Sequence, residues 1–125
     1  MSNQVNAANH ASFNDVIIKQ SKIGQFEDGL GCFAKRDFKK GEIVIAWKLK
    51  ILSEEQFNTL TKYERLNFTH MRNGIRYLYP APERYVNRSS HPNVYPDFDR
   101  KANIAMRDIK KDEELSIAAN TIEDF

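Results

Sequence analysis

The 125-residue chain has one cysteine, Cys32, and three scattered histidines, His10, His70 and His91. A lone thiol excludes an internal disulfide, and so dispersed a set does not supply the four-ligand Cys/His cluster of a structural zinc site, so no metal is expected. No window approaches the roughly 18 apolar residues of a membrane span, and the N-terminus lacks the basic stretch and apolar run of a secretory signal. A soluble, intracellular protein in a reducing compartment is therefore expected, without membrane association. Neither sign of charge dominates: 19 Lys plus Arg oppose 17 Asp plus Glu, a balance of +2. This excludes nucleic acid as the default partner. The short basic runs at Lys35-Arg36, Lys39-Lys40 and Lys110-Lys111 read as solvated turn faces.

What is present suffices for one domain, since independent domains run from about 50 to 200 residues. A hydrophobic fraction of 41%, with eight Phe, five Tyr and one Trp, can build a packed core. Residues 1–12 are polar and small and read as a flexible tail, with the fold beginning near Phe13. Val16 to Lys19 reads as a strand. Ile43, Val44, Ile45 and Trp47 read as another, in a meander with the segment around Cys32-Phe33-Ala34. Ser53 and Gln56 have capping-box spacing, and Phe57, Leu60, Tyr63, Phe68 and Met71 recur every three to four residues, which predicts one helix over 54–71 ended by Gly74. Ile75 to Tyr79 is strand-like, Tyr85 to Asp99 is mostly loop, and Asn103 to Ile109 and Glu114 to Ala118 are strands around a polar turn at 110–113. There is no internal repeat. Many short strands with one helix imply an irregular, mainly β, α+β domain.

Three of the five glycines, Gly24, Gly29 and Gly31, fall within eight residues. Alone, Gly29-Leu30-Gly31 marks a turn or a close backbone approach, and it lacks the third glycine and following helix of a dinucleotide fingerprint. A second unusual segment is Glu83-Arg84-Tyr85-Val86-Asn87-Arg88-Ser89-Ser90-His91-Pro92-Asn93, a Pro-containing stretch of hydrogen-bonding side chains; from Arg84 on it carries a recognisable block. Together with Gly29-Leu30-Gly31-Cys32-Phe33-Ala34 before it and Asp108-Ile109-Lys110-Lys111-Asp112-Glu113-Glu114-Leu115-Ser116-Ile117 after it, it resembles the signature blocks of the SET domain family. These read approximately G-x-G-x-F-A, R-F-x-N-H-S-x-x-P-N and I-x-x-G-E-E-L-T-x-D-Y. Phe38 to Val44 also fits that family's first hairpin. The resemblance covers roughly residues 13–120 and leaves 121–125 as a short C-terminal tail.

The resemblance implies a β-rich fold of small curved sheets with one helix, in which the C-terminal segment threads beneath a loop as a pseudoknot. It implies S-adenosylmethionine as cofactor and a protein lysine as methyl acceptor, on a histone or another basic protein. By resemblance, the backbone of Gly29, Leu30 and Gly31 faces the cofactor and keeps side chains small there. Asn87 bonds its methionine part, the peptide groups of Asn87 and Arg88 meet its adenine, and Arg84 and Tyr85 support that wall. Two departures stand out. Arg88 replaces the usual His, and Ala118 and Ala119 stand where Asp and the catalytic Tyr belong. Tyr77 or Tyr79 is the substitute available from another strand, although packing within that strand is the plainer reading of both. The sequence shows no cysteine cluster for a zinc-stapled C-terminal flap, so a complete lysine channel is expected to come from the last few residues with Phe125, from a second subunit in a homodimer, or not to exist. Two readings follow: a protein-lysine methyltransferase of weak or atypical activity, or a SET-fold binding module without catalysis. Cys32 reads as a small buried thiol, His91 as a loop hydrogen-bonder, and Trp47 as a core or sheet-surface aromatic.

Overall fold

The computed structural model of the chain describes residues 12–23 and 29–118. Gly24, Ala119 and Phe125, which the sequence singles out, lie outside the described residues. Among the described residues, eleven short strands form four small sheets. The first is antiparallel, from β1 (Ser12–Phe13), β2 (Val16–Gln20) and β3 (Leu30–Ala34), with Val16 opposite Ala34 and Ile18 opposite Cys32. Val16 and Ile18 point to one face, as period-2 alternation requires, and both are buried there with Cys32 and Ala34. The second sheet runs in the order β4 (Ile43–Ala46), β10 (Ala102–Ala105), β9 (Val94–Asp97). The meander expected from β3 into β4 is therefore not formed. β4 pairs instead with β10, almost sixty residues downstream, because all four residues of β10 are buried and only a central strand can be covered on both faces.

One helix over 54–71 is replaced by two short helices and a strand: α1 (Glu54–Thr59), α2 (Lys62–Asn67) and β6 (Thr69–Arg72). Ser53 caps α1 with the expected Gln56 box, but Thr61 and Glu64 form a second, equally complete capping box that starts a new helix. Arg65 then donates to the carbonyls of Asn58 and Leu60, which α1 leaves without intrahelical donors. No residue of either helix is buried, so the apolar spacing has no core to hold a single long helix together. Gly74 has a different role from the one expected. Asn73 and Gly74 both have positive φ, 53° and 78°, the signature of a two-residue hairpin turn joining β6 to β7 (Ile75–Leu78). With β5 (Lys50–Leu52) on the other edge, these make the third sheet, in the order β5, β7, β6.

The stretch read as loop, 85–99, follows a 3-10 turn at Glu83–Tyr85 and holds two strands, β8 (Asn87–Ser89) and β9. β8 pairs in parallel with β11 (Ser116–Ala118), the fourth sheet. The segment leading into β11 is gripped on three sides. Glu113 accepts from Ala34 N and Leu115 donates to Cys32 O on β3, while Asn93 bonds Ser116 through both its backbone and its side chain. Leu115 is fully buried at the centre of this grip. This is the threaded C-terminal crossing that the sequence resemblance implies.

Candidate functional site

Successive residues of a strand point to opposite faces, so the β8/β11 register decides what each side of this small ladder carries. Asn87 lies opposite Ser116, and Arg88 opposite Ile117. The first pair faces β3 and the second faces away from it, into a cavity.

On the β3 side Asn87 is fully buried. Its Nδ2 donates to Leu30 O at 3.0 Å, to Glu114 Oε2 at 3.0 Å and to Ser21 Oγ at 3.2 Å. Ser21 Oγ in turn donates across both oxygens of Glu114, at 2.9 and 2.7 Å. Gly31 adjoins this network: a Cβ there would collide with Glu114 Oε2 and lie 2.8 Å from Ser21 Cβ. The small residue at 31 is thus required by the protein's own Glu114, a cause the sequence resemblance did not name. Gly29 is required differently, by a φ of +68° and by the Gln20 amide 2.7 Å from where its Cβ would sit. The Asn87 Oδ1 atom is buried and has no hydrogen-bond partner among the described residues. A buried amide oxygen left in that state costs about 1–3 kcal/mol, so the position is built to be met by a donor.

On the other side lies a cavity of about 40 Å³ whose walls include Trp47, Tyr79, Glu83, Arg88, Asn103 and Ile117. Trp47 Nε1 donates to Asn103 Oδ1 at 2.9 Å, which fixes the indole, and the Tyr79 ring meets it edge-on with centroids 6.1 Å apart. Burial, with the charge of Glu83 nearby, pushes the Tyr79 phenol up, so it stays a protonated hydroxyl at neutral pH. Glu83 is only 8% exposed. Its Oε2 accepts from Lys48 N at 2.7 Å, while Oε1 is buried and has no partner among the described residues. Burial pushes this carboxyl up from its ordinary value, against the backbone N–H groups of Lys48 and of Glu83 itself and the charges of Lys48 and Arg84, which pull it down.

The residues singled out by sequence divide between these two places. Gly29, Leu30, Gly31 and Asn87 come together on the β3 side. Arg84 and Arg88 line the cavity instead, and Arg84 also holds the chain, donating from Nε to Tyr79 O at 2.9 Å with its guanidinium over the Phe68 ring. Tyr85 packs against the core. Tyr79 enters the cavity, whereas Tyr77 packs between His70 and Phe98, with ring centroids 5.5 Å from each. His91 bonds Ser90 and its own loop, and burial pushes the Cys32 thiol up, well out of the nucleophilic range. Trp47 packs against the core, as the sequence suggested, and also walls the cavity. Glu83 and Asn103 were missed. A single Glu in a polar stretch carries no signal of burial, and the one clue to Glu83 is its place at the head of the Glu83–Asn93 segment.

A family model described as "SET domain" matches residues 29–118, well over half of the chain. No curated protein matches. Among solved structures, a Plasmodium falciparum protein described as a candidate histone methyltransferase superposes with a TM-score of 0.62 at 21% identity, covering 84% of this chain and 92% of that one. The Chaetomium thermophilum Polycomb Repressive Complex 2 bound to S-adenosylmethionine gives a TM-score of 0.62 at 21% identity, and an active Polycomb repressive complex 2 in the basal state gives 0.60 at 25%. Each covers over four fifths of this chain, which spans only 15% of either Polycomb chain. The matched blocks, the threaded β11 and the buried Asn87 coincide, and the chain belongs to the SET domain family.

Proposed function

We propose that the protein is an S-adenosylmethionine-dependent methyltransferase acting on a lysine amine of a protein, with the cofactor on the Asn87 side of the β8/β11 ladder and the amine in the Trp47–Tyr79 cavity. One observation carries the reading: the ladder separates a buried, unsatisfied Asn87 carboxamide oxygen from an aromatic-walled cavity only one residue away in the register. The donor set fits the cofactor. Asn87 Oδ1 is an acceptor without a donor, and the methionine end of S-adenosylmethionine carries an ammonium that can supply one.

When bound, the cofactor supplies a methyl group on a sulfonium. Methyl transfer to an amine is an in-line displacement with no covalent enzyme intermediate, so the chain's task is alignment and exclusion of water. Asn87 would anchor one partner through Oδ1, with its Nδ2 already held by Leu30 and Glu114. Trp47, locked by Asn103, and the protonated Tyr79 would wall the other partner off from solvent. Calorimetric titration with S-adenosylmethionine, followed by mass spectrometry of a lysine-rich protein incubated with it, tests the reading. Saturable binding and a methyl mass increment on lysine are expected; absence of both overturns it.

A second reading keeps the scaffold without chemistry. It is favoured by Ala118, which stands in β11 opposite Ser89 where the family pattern has an acidic residue. Saturable cofactor binding with no methyl transferred to any lysine would establish it.

A further inference from the structure

We propose that Glu83 is the group that receives the acceptor amine: Oε1 takes a hydrogen bond from a primary alkyl amine inserted into the cavity between Trp47 and Tyr79. The assignment deepens the methyltransferase reading and rests on it for the identity of the amine. The state of the carboxylate points to this role. Glu83 is more than nine-tenths buried, one oxygen is fixed by the Lys48 amide, and the other has no partner among the described residues although its residue lines the cavity. A carboxylate oxygen only accepts hydrogen bonds, so the guest must be a donor. The aromatic walls favour an alkyl stem leading to it, and about 40 Å³ is a few times the roughly 10–15 Å³ that one water needs, enough for the CH₂–NH₂ tip of such a stem.

Charge narrows the guest further. Arg84 and Arg88 line the same cavity, and Lys48 and Tyr79 adjoin Glu83. Two guanidiniums oppose a permanently charged guest and lower the proton affinity of a bound amine, against the Glu83 carboxylate, which raises it. The neutral amine is the form whose lone pair can attack a methyl group, and it still offers N–H donors to Oε1. Glu83 thus stands on the acceptor side as a hydrogen-bond acceptor, where the family pattern relies on a tyrosine hydroxyl.

The lone tryptophan makes a direct test possible, because a ¹H–¹⁵N spectrum holds one indole N–H, that of Trp47 in the cavity wall. Titration with n-butylamine should move that peak saturably in the wild type. Glu83→Gln keeps an oxygen for Lys48 but turns an N–H₂ toward the cavity, and it should weaken the response by about tenfold or more. Equal responses in wild type and variant, or a peak that moves with butyrate and not with n-butylamine, overturn the assignment. Should the variant fail to fold, wild-type protein with ¹³C-labelled Glu carboxyls serves: the Glu83 carboxyl must shift with n-butylamine, and a stationary signal overturns the assignment. Methyl transfer to lysine with a stationary indole peak would sink the Glu83 role and leave the methyltransferase reading standing. Glu83-dependent amine binding without methyl transfer would do the reverse.

Discussion

Gly31→Ala tests whether the glycine in this turn serves the protein's own packing. The new Cβ would overlap Glu114 Oε2 and lie 2.8 Å from Ser21 Cβ, a separation that real Cβ atoms essentially never show. Glu114 can withdraw only by giving up the Ser21 hydroxyl and the Asn87 amide, and hydrogen bonds to a charged group contribute roughly 1.5–3 kcal/mol. Ser21 cannot withdraw as a flexible tip would, because it is Cβ that is hit, so overpacking adds about 1 kcal/mol or more. The expected loss is about 3 kcal/mol of a total that for a domain is about 5–15, or roughly 10 °C in Tm. Urea unfolding of the cofactor-free protein measures it. The Glu114→Ala background supplies the second arm: with the carboxylate gone, only the Ser21 contact remains, and Gly31→Ala should cost at least about 1 kcal/mol less there. A loss within about 0.5 kcal/mol in the wild-type background, or the same loss in both, would refute the packing argument and return the glycine to a purely ligand-facing role.

Three further outcomes follow from single sites. Thr61→Ala removes the cap of α2 and frees Glu64 N, so it should cost about 1 kcal/mol by urea unfolding, with Thr61→Ser restoring most of it. Burial, with the charge of Arg72, pushes the His70 imidazole down to about 4 from 6.5. The unfolded chain therefore binds a proton that the folded one refuses, and this contribution to stability is intact above about pH 6.5 and lost as pH falls toward about 4. The full shift corresponds to about 3 kcal/mol and partial exposure of the ring reduces it to roughly 1–2; a His70→Phe variant whose stability falls as steeply over that window would contradict it. Arg88→His should alter the KM for the lysine-bearing substrate and leave calorimetric affinity for S-adenosylmethionine within about twofold, a split worth about 0.4 kcal/mol, because the Arg88 side chain lines the cavity and not the Asn87 face.

Local signals in the sequence located most of the pieces and few of their partners. The Ser53–Gln56 box began a helix where expected, and Val16 to Gln20 alternates as a strand should. The errors have local causes of their own. Thr61-x-x-Glu64 is as clear a start signal as Ser53-x-x-Gln56, but the apolar spacing runs straight through it and masks the break. Asn73-Gly74 is a strong hairpin signal, and it resembles a helix stop only when helical spacing is carried as far as Met71. Pairing was illegible for a different reason. β4 meets β10 and β8 meets β11 across long stretches of chain, and hydrophobic patterning states that a strand is buried without stating against what. The Asn87 side of the site was legible because its parts, Gly31, Asn87 and Glu114, sit in the three recognisable blocks. The cavity side was legible only in part: Arg84 and Arg88 sit in a recognisable block and Tyr79 was a candidate, but Trp47, Glu83 and Asn103 come from separate stretches with no shared pattern.

The β8/β11 ladder ties these two halves together, and its register is over-determined. A slip of one residue would exchange the faces, sending the Asn87 carboxamide into the aromatic cavity and the Arg88 guanidinium against Leu30 and Glu114. Three restraints oppose that slip: the Ser116 amide on Asn93 Oδ1, the Leu115 amide on Cys32 O, and the fully buried Leu115 side chain. Each acts on β11 from outside the ladder, so the two-stranded sheet need not define its own pairing, which so short a parallel pair could not do. The same restraints explain how Arg88 can stand where the family has His. The β3 face is crowded by fixed hydrogen bonds and admits no larger side chain, whereas the face carrying residue 88 opens on a cavity, so a change of size and charge there leaves the Asn87 network in place.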